Sequence, residues 1–125
     1  MNDDPITTAY ASVALSDPIC SGIDERTLLC PRCNSEHLHQ GKVIVYDRSE
    51  DAEIIRRTTV DGDSVATETV PNATSGNPSD RRQGLSIEFR CEKCDDPFDA
   101  PFQLTISQHK GVTLIGWRAL SLKKE

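Results

Sequence analysis

The motifs Cys30-Pro31-Arg32-Cys33 and Cys91-Glu92-Lys93-Cys94 decide how this chain folds. In each of them a two-residue spacer lets both thiolates turn to the same side of a tight loop. Two such loops supply four sulfur ligands, which suit a tetrahedral ion with metal–sulfur bonds of about 2.3 Å. We therefore expect one structural zinc ion, and the predicted ligands are Cys30, Cys33, Cys91 and Cys94.

Paired cysteines also occur in disulfide frameworks, redox-active dithiols and iron–sulfur centres. Disulfides require an oxidising compartment, and an N-terminus with Asp3, Asp4 and no basic residue before Arg26 does not match a secretory signal. A thioredoxin-like dithiol normally lies at a helix N-terminus in a βαβ unit, which this sequence lacks. A catalytic zinc ion keeps one position open, whereas four thiolates close the shell. The pattern favours structural zinc over these alternatives.

Three further residues near the cysteine pairs have side chains that can bind metals. His37 and His39 follow Cys33 closely, and we expect them to be ordinary residues at the start of a strand rather than replacements for a cysteine ligand. Cys20 lies outside both pairs, and we expect it to be an ordinary thiol.

Composition predicts one domain with a small core, because only 36% of the 125 residues are hydrophobic and 5% are aromatic. A structural zinc site compensates for this, since such sites contribute about 10–16 kcal/mol in zinc-finger peptides. The formal net charge of −6 disfavours general attraction to phosphate backbones but is compatible with a local basic surface. No stretch reaches the roughly 18 apolar residues of a membrane span, so we expect a cytoplasmic protein without membrane contact.

The chain is predicted to divide into a flexible leader or a strap over the domain, a folded domain and a short tail. The leader, residues 1–25, has no sustained periodicity, and the tail is residues 119–125. Residues 26–118 are predicted to form an all-β zinc ribbon with an antiparallel sheet, in which residues 47–84 are an inserted hairpin and loop. Strands are expected at residues 26–29, 38–46, 54–60, 63–70, 85–91, 102–106 and 112–117.

Two local patterns give more detail about this sheet. Asp61-Gly62 lies between two β-branched runs and predicts a tight hairpin turn in which both positions have positive φ. Residues 85–91 alternate between hydrophobic and polar, which places Leu85, Ile87, Phe89 and Cys91 on a predicted core face. A second turn is expected at residues 108–111.

The cysteine pairs resemble those of a zinc ribbon, with a CPxC knuckle, intervening strands, a second CxxC knuckle and a closing hairpin. A narrower resemblance, over residues 26–118, is to small zinc-ribbon proteins encoded by bacteria and by their phages or mobile elements. It implies a metal and a fold, but ribbons serve many functions. Besides the cysteine motifs, it rests on Gly76-Asn77-Pro78-Ser79, Arg82, Gly84-Leu85 and Gln108-His109-Lys110-Gly111.

The ribbon of transcription-elongation cleavage factors is also similar in its CPxC knuckle, its long insert and the strand that enters the second CxxC. Such ribbons present two acidic residues at a hairpin tip to the active site of a polymerase. The comparable region here, residues 79–84, has one acidic residue, Asp80, and two arginines. The resemblance therefore does not extend to the catalytic acidic pair.

The closed thiolate site, the acidic insert and the expected sheet edges favour a non-enzymatic protein–protein interaction or regulatory module, such as a mobile-element factor that binds or inhibits host machinery. The alternative is a nucleic-acid-binding ribbon accessory to transcription or DNA processing. No enzyme is expected, because the sequence lacks a phosphate-binding glycine loop, a nucleophile elbow and an HExxH motif. The oligomeric state stays open. The candidate contacts to nucleic acid or a protein partner are Arg56, Arg57, Arg81, Arg82, His109 and Lys110.

Overall fold

Seven antiparallel β-strands form one sheet, which confirms the predicted all-β class. The computed structural model describes residues 6–9, 13–16, 26–94 and 102–120. Within these ranges there is no α-helix, and no helix that could cross a membrane. A short 3-10 turn covers Asn72–Thr74. The strands are β1 (Ile6–Ala9), β2 (Leu38–Asp47), β3 (Ile54–Asp61), β4 (Ser64–Pro71), β5 (Gly84–Cys91), β6 (Phe102–His109) and β7 (Val112–Leu120).

The sheet grows outward on both sides from the central pair of strands β2 and β5. Its strand order is β1-β7-β6-β5-β2-β3-β4. On one side, β2 continues through two short connections into β3 and β4, so that β4 is one edge of the sheet. Residues 72–83 then return the chain from that edge to β5, which pairs with β2 and with β6. The division into a leader 1–25, a ribbon 26–118 and a tail 119–125 stays a prediction. Within the predicted leader, β1 pairs antiparallel with β7.

The β3–β4 turn differs by one position from the sequence prediction. Asp61 is the last residue of β3 and pairs with Ser64, so the two turn residues are Gly62 and Asp63. Of these, Gly62 alone has positive φ, at 64°, which is typical of a type II′ hairpin turn. The prediction that Asp61 and Gly62 are both turn residues with positive φ is therefore wrong. Asp-Gly commonly occupies the two central positions of a type I′ turn, and the sequence prediction therefore placed the turn one residue too early.

The β6–β7 turn is narrower than predicted. His109 pairs with Val112, so the turn consists of Lys110 and Gly111 alone. Both have positive φ, at 50° and 83°, as a type I′ turn requires. The strand expected at residues 26–29 is reduced to a single antiparallel bridge between Leu15 and Leu28.

The two faces of the sheet are buried by different chemistry. We call the face that carries Leu85, Ile87 and Phe89 the apolar face, and the face that carries Ser86 and Thr105 the polar face. At the cysteine end of the apolar face, edge-to-face contacts join the Trp117 ring to nearby aromatic rings. The core there consists of Cys30, Cys91, Phe102, Leu104 and Trp117.

The predicted core face of β5 is only partly correct. Cys91 is buried and Phe89 packs against the core, but Leu85 and Ile87 are half-buried, whereas Ser86 on the opposite face is only 1% exposed. We call residues 72–83 the return connection. It explains part of this difference, because it packs against Gly84 at the start of the same strand.

Buried polar side chains take the place of a second apolar core on the polar face. Arg118 is 4% exposed, and its Nε donates to Gln103 Oε1 at 2.7 Å. Its Nη2 donates to the Tyr46 hydroxyl at 3.4 Å, so the guanidinium joins β7 to β2 across two intervening strands. Small residues in those strands, including Ser86 and Thr105, lie on the same face.

Replacement of Gly84 by alanine tests the close approach of the return connection. A Cβ at this position would lie 2.2 Å from Asn77 Oδ1 and 2.7 Å from Pro78 Cδ. Asn77 cannot move freely, because Ser79 N donates to its Oδ1 and its Nδ2 donates to Asn72 and Arg82. We expect Gly84→Ala to lower the free energy of unfolding by about 1–3 kcal/mol, measured by urea denaturation of the metal-loaded protein.

Gly41→Ala is the matched control for this experiment. Its nearest contact would be Glu88 Oε1 at 3.1 Å, the end of a flexible side chain that can rotate away. A loss at Gly41 as large as the loss at Gly84 would contradict the proposed tight contact.

Candidate metal centre

Hydrogen bonds to its own backbone shape the first cysteine loop. Cys30 N donates to Ser35 O at 2.8 Å, and Asn34 N donates to Cys30 O at 3.0 Å, which closes the turn. Asn34 is in the left-handed region, with φ of 64°, a conformation that asparagine tolerates better than most residues. Arg32 N donates to Cys30 Sγ at 3.3 Å. The loop therefore orients the Cys30 sulfur and partly satisfies its capacity to accept hydrogen bonds.

The pairing of β2 with β5 brings the second loop beside the first. The first loop precedes β2, and β5 ends in the second loop, so antiparallel pairing places both loops at the same end of the sheet. Leu38 is the register partner of Cys91. Glu92 N donates to His37 O at 3.0 Å and extends this contact by one residue.

The four sulfur atoms form a compact cluster, all within 4.8 Å of one another. Cys30 Sγ lies 3.5 Å from Cys94 Sγ, and Cys33 Sγ lies 3.6 Å from Cys91 Sγ and from Cys94 Sγ. A regular tetrahedron with metal–sulfur bonds of about 2.3 Å has edges of about 3.8 Å. The four cysteines are free thiols, and their arrangement fits one tetrahedral metal ion.

The protonation of these thiols is strongly unequal in the metal-free protein. Burial raises the pKa of Cys94 to about 12, and its hydrogen bonds with the other three thiols act in the same direction. Burial also raises the pKa of Cys30. At Cys91, burial is outweighed by hydrogen bonds from the Lys93 backbone and from neighbouring thiols, which lower the pKa to about 7. Cys91 therefore deprotonates before Cys30 and Cys94, and a metal ion must displace protons from those two thiols.

A cation–π contact, which sequence reasoning did not find, supports the first loop from outside. The Arg32 guanidinium carbon lies 5.1 Å from the centroid of the Phe102 ring. Phe102 begins β6 and belongs to the core beneath the cysteines. The arginine in the CPxC spacer was visible in the sequence, but its aromatic partner is distant along the chain.

The two histidines near the first loop have partners of their own. His39 Nε2 lies 3.0 Å from Glu92 Oε1, and both side chains are largely exposed. The hydrogen bond with His39 is the main cause of the lowered pKa of the Glu92 carboxyl group. The His37 backbone N–H donates to Ser35 Oγ. Neither histidine belongs to the cysteine cluster.

The candidate contacts Arg56 and Arg57 are each paired with an acidic residue. Arg56 forms an ion pair with Asp47 on the neighbouring strand β2. Arg57 Nη2 lies 2.8 Å from Glu68 Oε2 on β4, and its Nη1 donates to Ser75 O. Because adjacent residues of a strand point to opposite faces, the two guanidinium groups do not form one basic patch.

Arg81 and Arg82 are also paired with acidic residues. Arg81 Nη2 lies 2.9 Å from Glu50 Oε2 and 3.0 Å from Asp51 Oδ2, and Arg82 Nη2 lies 3.0 Å from Glu50 Oε1. The hydrogen bond from Arg81 is the main cause of the lowered pKa of Asp51. These contacts attach the return connection to the β2–β3 loop and compensate the arginine charges.

The remaining candidates, His109 and Lys110, lie at the β6–β7 turn. Lys110 is exposed, whereas His109 is half-buried and lines a shallow groove with Ser79 and Asp80. Ser79 Oγ donates to Gln108 O at 2.7 Å, so the return connection reaches this turn as well. Cys20 lies outside the described residues.

Comparison with known proteins adds no relative, because no family model, no curated protein and no solved structure matches the chain. Interpretation of the site therefore depends on its own geometry.

Loss of one cysteine tests the cluster. We expect Cys30→Ser or Cys91→Ser to remove the bound metal and to unfold the domain, because each sulfur belongs to both the metal site and the core. Metal content after zinc loading and far-ultraviolet circular dichroism measure the two effects. Cys20→Ser is the matched control and should keep metal and fold. A metal-free Cys30→Ser protein with wild-type stability would contradict this role.

The thiol pKa values predict that metal affinity depends on pH. Cys30 and Cys94 have raised pKa values and are protonated near neutral pH, whereas the bound form requires thiolates. Raising the pH removes those protons, so apparent affinity should rise by about tenfold per pH unit for each proton released. Competition with a chromophoric chelator at several pH values measures this slope. An affinity independent of pH would exclude coordination by these thiols.

Proposed function

We propose that this protein is a non-enzymatic module in which one zinc ion stabilises the sheet and the inserted β3–β4 hairpin binds another polypeptide. The observation that carries the proposal is the combination of a four-cysteine cluster that fits one tetrahedral ion with an exposed, partly apolar hairpin. Zinc suits the site because it prefers four thiolates in a tetrahedron. When bound, it would cross-link the two cysteine loops and supply no open coordination position.

The hairpin exposes large hydrophobic side chains to solvent, and this exposure is unfavourable in free energy. Val65 is 68% exposed, Ile54 is 56% exposed and Val60 is 39% exposed. Register places Val60 opposite Val65 and next to Val43, so these valines form a row on the apolar face. A row of exposed apolar side chains is typical of an interaction surface.

The ion pairs favour a protein partner over nucleic acid. Arg56, Arg57, Arg81 and Arg82 each have a carboxylate within ion-pair distance, so their charge is locally compensated. Binding to phosphates would require those pairs to break or to be shared, which reduces the electrostatic gain. Lys110 adds one exposed charge at the β6–β7 turn, on the other side of the central β2–β5 pair from β4.

A regulatory role is the finer part of the proposal. The resemblance to small zinc ribbons of bacteria and their phages or mobile elements supports a factor that binds or inhibits host machinery. A catalytic role has no comparable support, since four thiolates leave no position for a water molecule. Asp80 has no acidic neighbour in the 79–84 region that could complete a cleavage-factor-like pair.

A capture experiment with matched variants tests the proposal. The tagged, zinc-loaded chain is incubated with lysate of its own host, with and without nuclease and at low and high salt, and retained proteins are identified by mass spectrometry. We expect a specific protein that survives nuclease and salt, that is lost with Val60→Asp and that is kept with Val112→Asp. Val112 is the control because it is similarly exposed but lies beside the β6–β7 turn.

Two results would overturn protein binding by the hairpin. Retention that disappears with nuclease would favour the nucleic-acid alternative. A protein retained equally by Val60→Asp would show that the contact lies elsewhere.

A further inference from the structure

We infer that the free edge of β4 pairs with the same edge of a second copy of this chain, antiparallel about a two-fold axis at Thr67. The inference rests on the proposed function in that it assigns a partner to the same hairpin. It concerns the backbone edge of β4, whereas the proposed capture surface is the apolar face around Val60.

The β4 strand lacks the usual protection of a sheet edge. Among the described residues 6–9, 13–16, 26–94 and 102–120, its one neighbouring strand is β3, and the register from Asp61↔Ser64 to Ile54↔Pro71 is continuous without a bulge. Its side chains are exposed except for half-buried Val70. Glu68 is the strand's only charged residue, and Pro71 comes only at its end. Natural edges are normally blocked by lysines, central prolines or bulges, because an open edge recruits another strand.

Hairpin geometry determines which backbone groups of β4 are free. The two-residue turn makes Asp61 and Ser64 a hydrogen-bonded pair, and such pairs then alternate along an antiparallel ladder. Thr58 and Thr67 therefore form a non-hydrogen-bonded pair, in agreement with the 3.1 Å distance between their Oγ1 atoms. It follows that the N–H and C=O groups of Val65, Thr67 and Thr69 point away from β3.

These three residues are complementary to a second copy of themselves. A two-fold axis at Thr67 places it opposite the partner's Thr67 and places Val65 opposite the partner's Thr69. Each outward N–H of these residues then faces an outward C=O of the partner strand, and each residue pair exchanges two hydrogen bonds. All the paired side chains are β-branched, which suits cross-strand packing, and the apolar faces of both sheets lie on the same side.

The charges of the hairpin are compatible with this register. Glu68 is already paired with Arg57 at 2.8 Å and would lie opposite the partner's Ala66, so no like charges meet. Asp63 would lie opposite the partner's Pro71. The two acidic turns are then about 27 Å apart at ~3.4 Å per residue, well beyond the Debye length of about 8 Å. A parallel pairing would instead bring the two turns together.

Charged pairs at Val65 and Thr69 test both the dimer and its register. Sedimentation equilibrium of the full, zinc-loaded chain should show a concentration-dependent dimer. In the double variants Val65→Lys/Thr69→Lys and Val65→Glu/Thr69→Glu, like charges lie directly opposite at both ends, so each should dimerise at least tenfold more weakly. Both sites are exposed, and circular dichroism with metal content confirms that the variants fold.

Mixing the two variants provides the decisive comparison. Lysine at one site then lies opposite glutamate of the other chain, so a heterodimer should form at wild-type affinity or better. A wild-type protein that stays monomeric, or double variants that each dimerise like wild type, would overturn the inference. A monomer that still captures a protein through Val60 would overturn the dimer alone. A dimer that captures no other protein would contradict only the proposal that the hairpin binds a different polypeptide.

Discussion

The pairing of β2 with β5 is the contact on which the rest of the structure depends. Each cysteine loop can form locally, but four sulfurs meet only because Leu38 aligns with Cys91 and places both loops at one end of the sheet. In the sheet, strands β3 and β4 lie on one side of this central pair, and strands β6 and β7 lie on the other. A metal ion at the loops would stabilise this central pair most directly, since both strands begin or end there.

Because the hydrophobic core is small, long-range polar contacts also hold strands and loops together. Arg118 connects β7 to Gln103 and Tyr46, and Arg81 attaches the return connection to Glu50 and Asp51. Exposed ion pairs contribute little individually, but a buried guanidinium with directed acceptors restricts how strands pack. The acidic insert is thus partly neutralised within the fold, whereas Val60 and Val65 on its hairpin stay exposed.

A one-residue difference in turn position shows how sequence reasoning missed the arginine pairs. With Asp61 and Gly62 as turn residues, Arg57 would lie opposite Ala66. The observed turn at Gly62 and Asp63 places Arg57 opposite Glu68 instead, where the ion pair forms. The sequence therefore contained the signal for this pair, but reading it required the correct register. No comparable local signal links Arg81 to Asp51, because the whole β3–β4 hairpin lies between them along the chain.

The sequence by itself determined the spacing of the clustered cysteines, the all-β class and most strand positions, since these follow from interactions between near neighbours along the chain. Only the tertiary structure decided that Ser86 is more deeply buried than Leu85, that the candidate arginines are ion-paired, and that β4 is an open edge. The physical reason is that burial, charge compensation and edge exposure depend on which distant segment lies alongside. In this chain, the return of residues 72–83 to the centre of the sheet leaves β4 as the outermost described strand and places Arg81 and Arg82 beside Glu50 and Asp51.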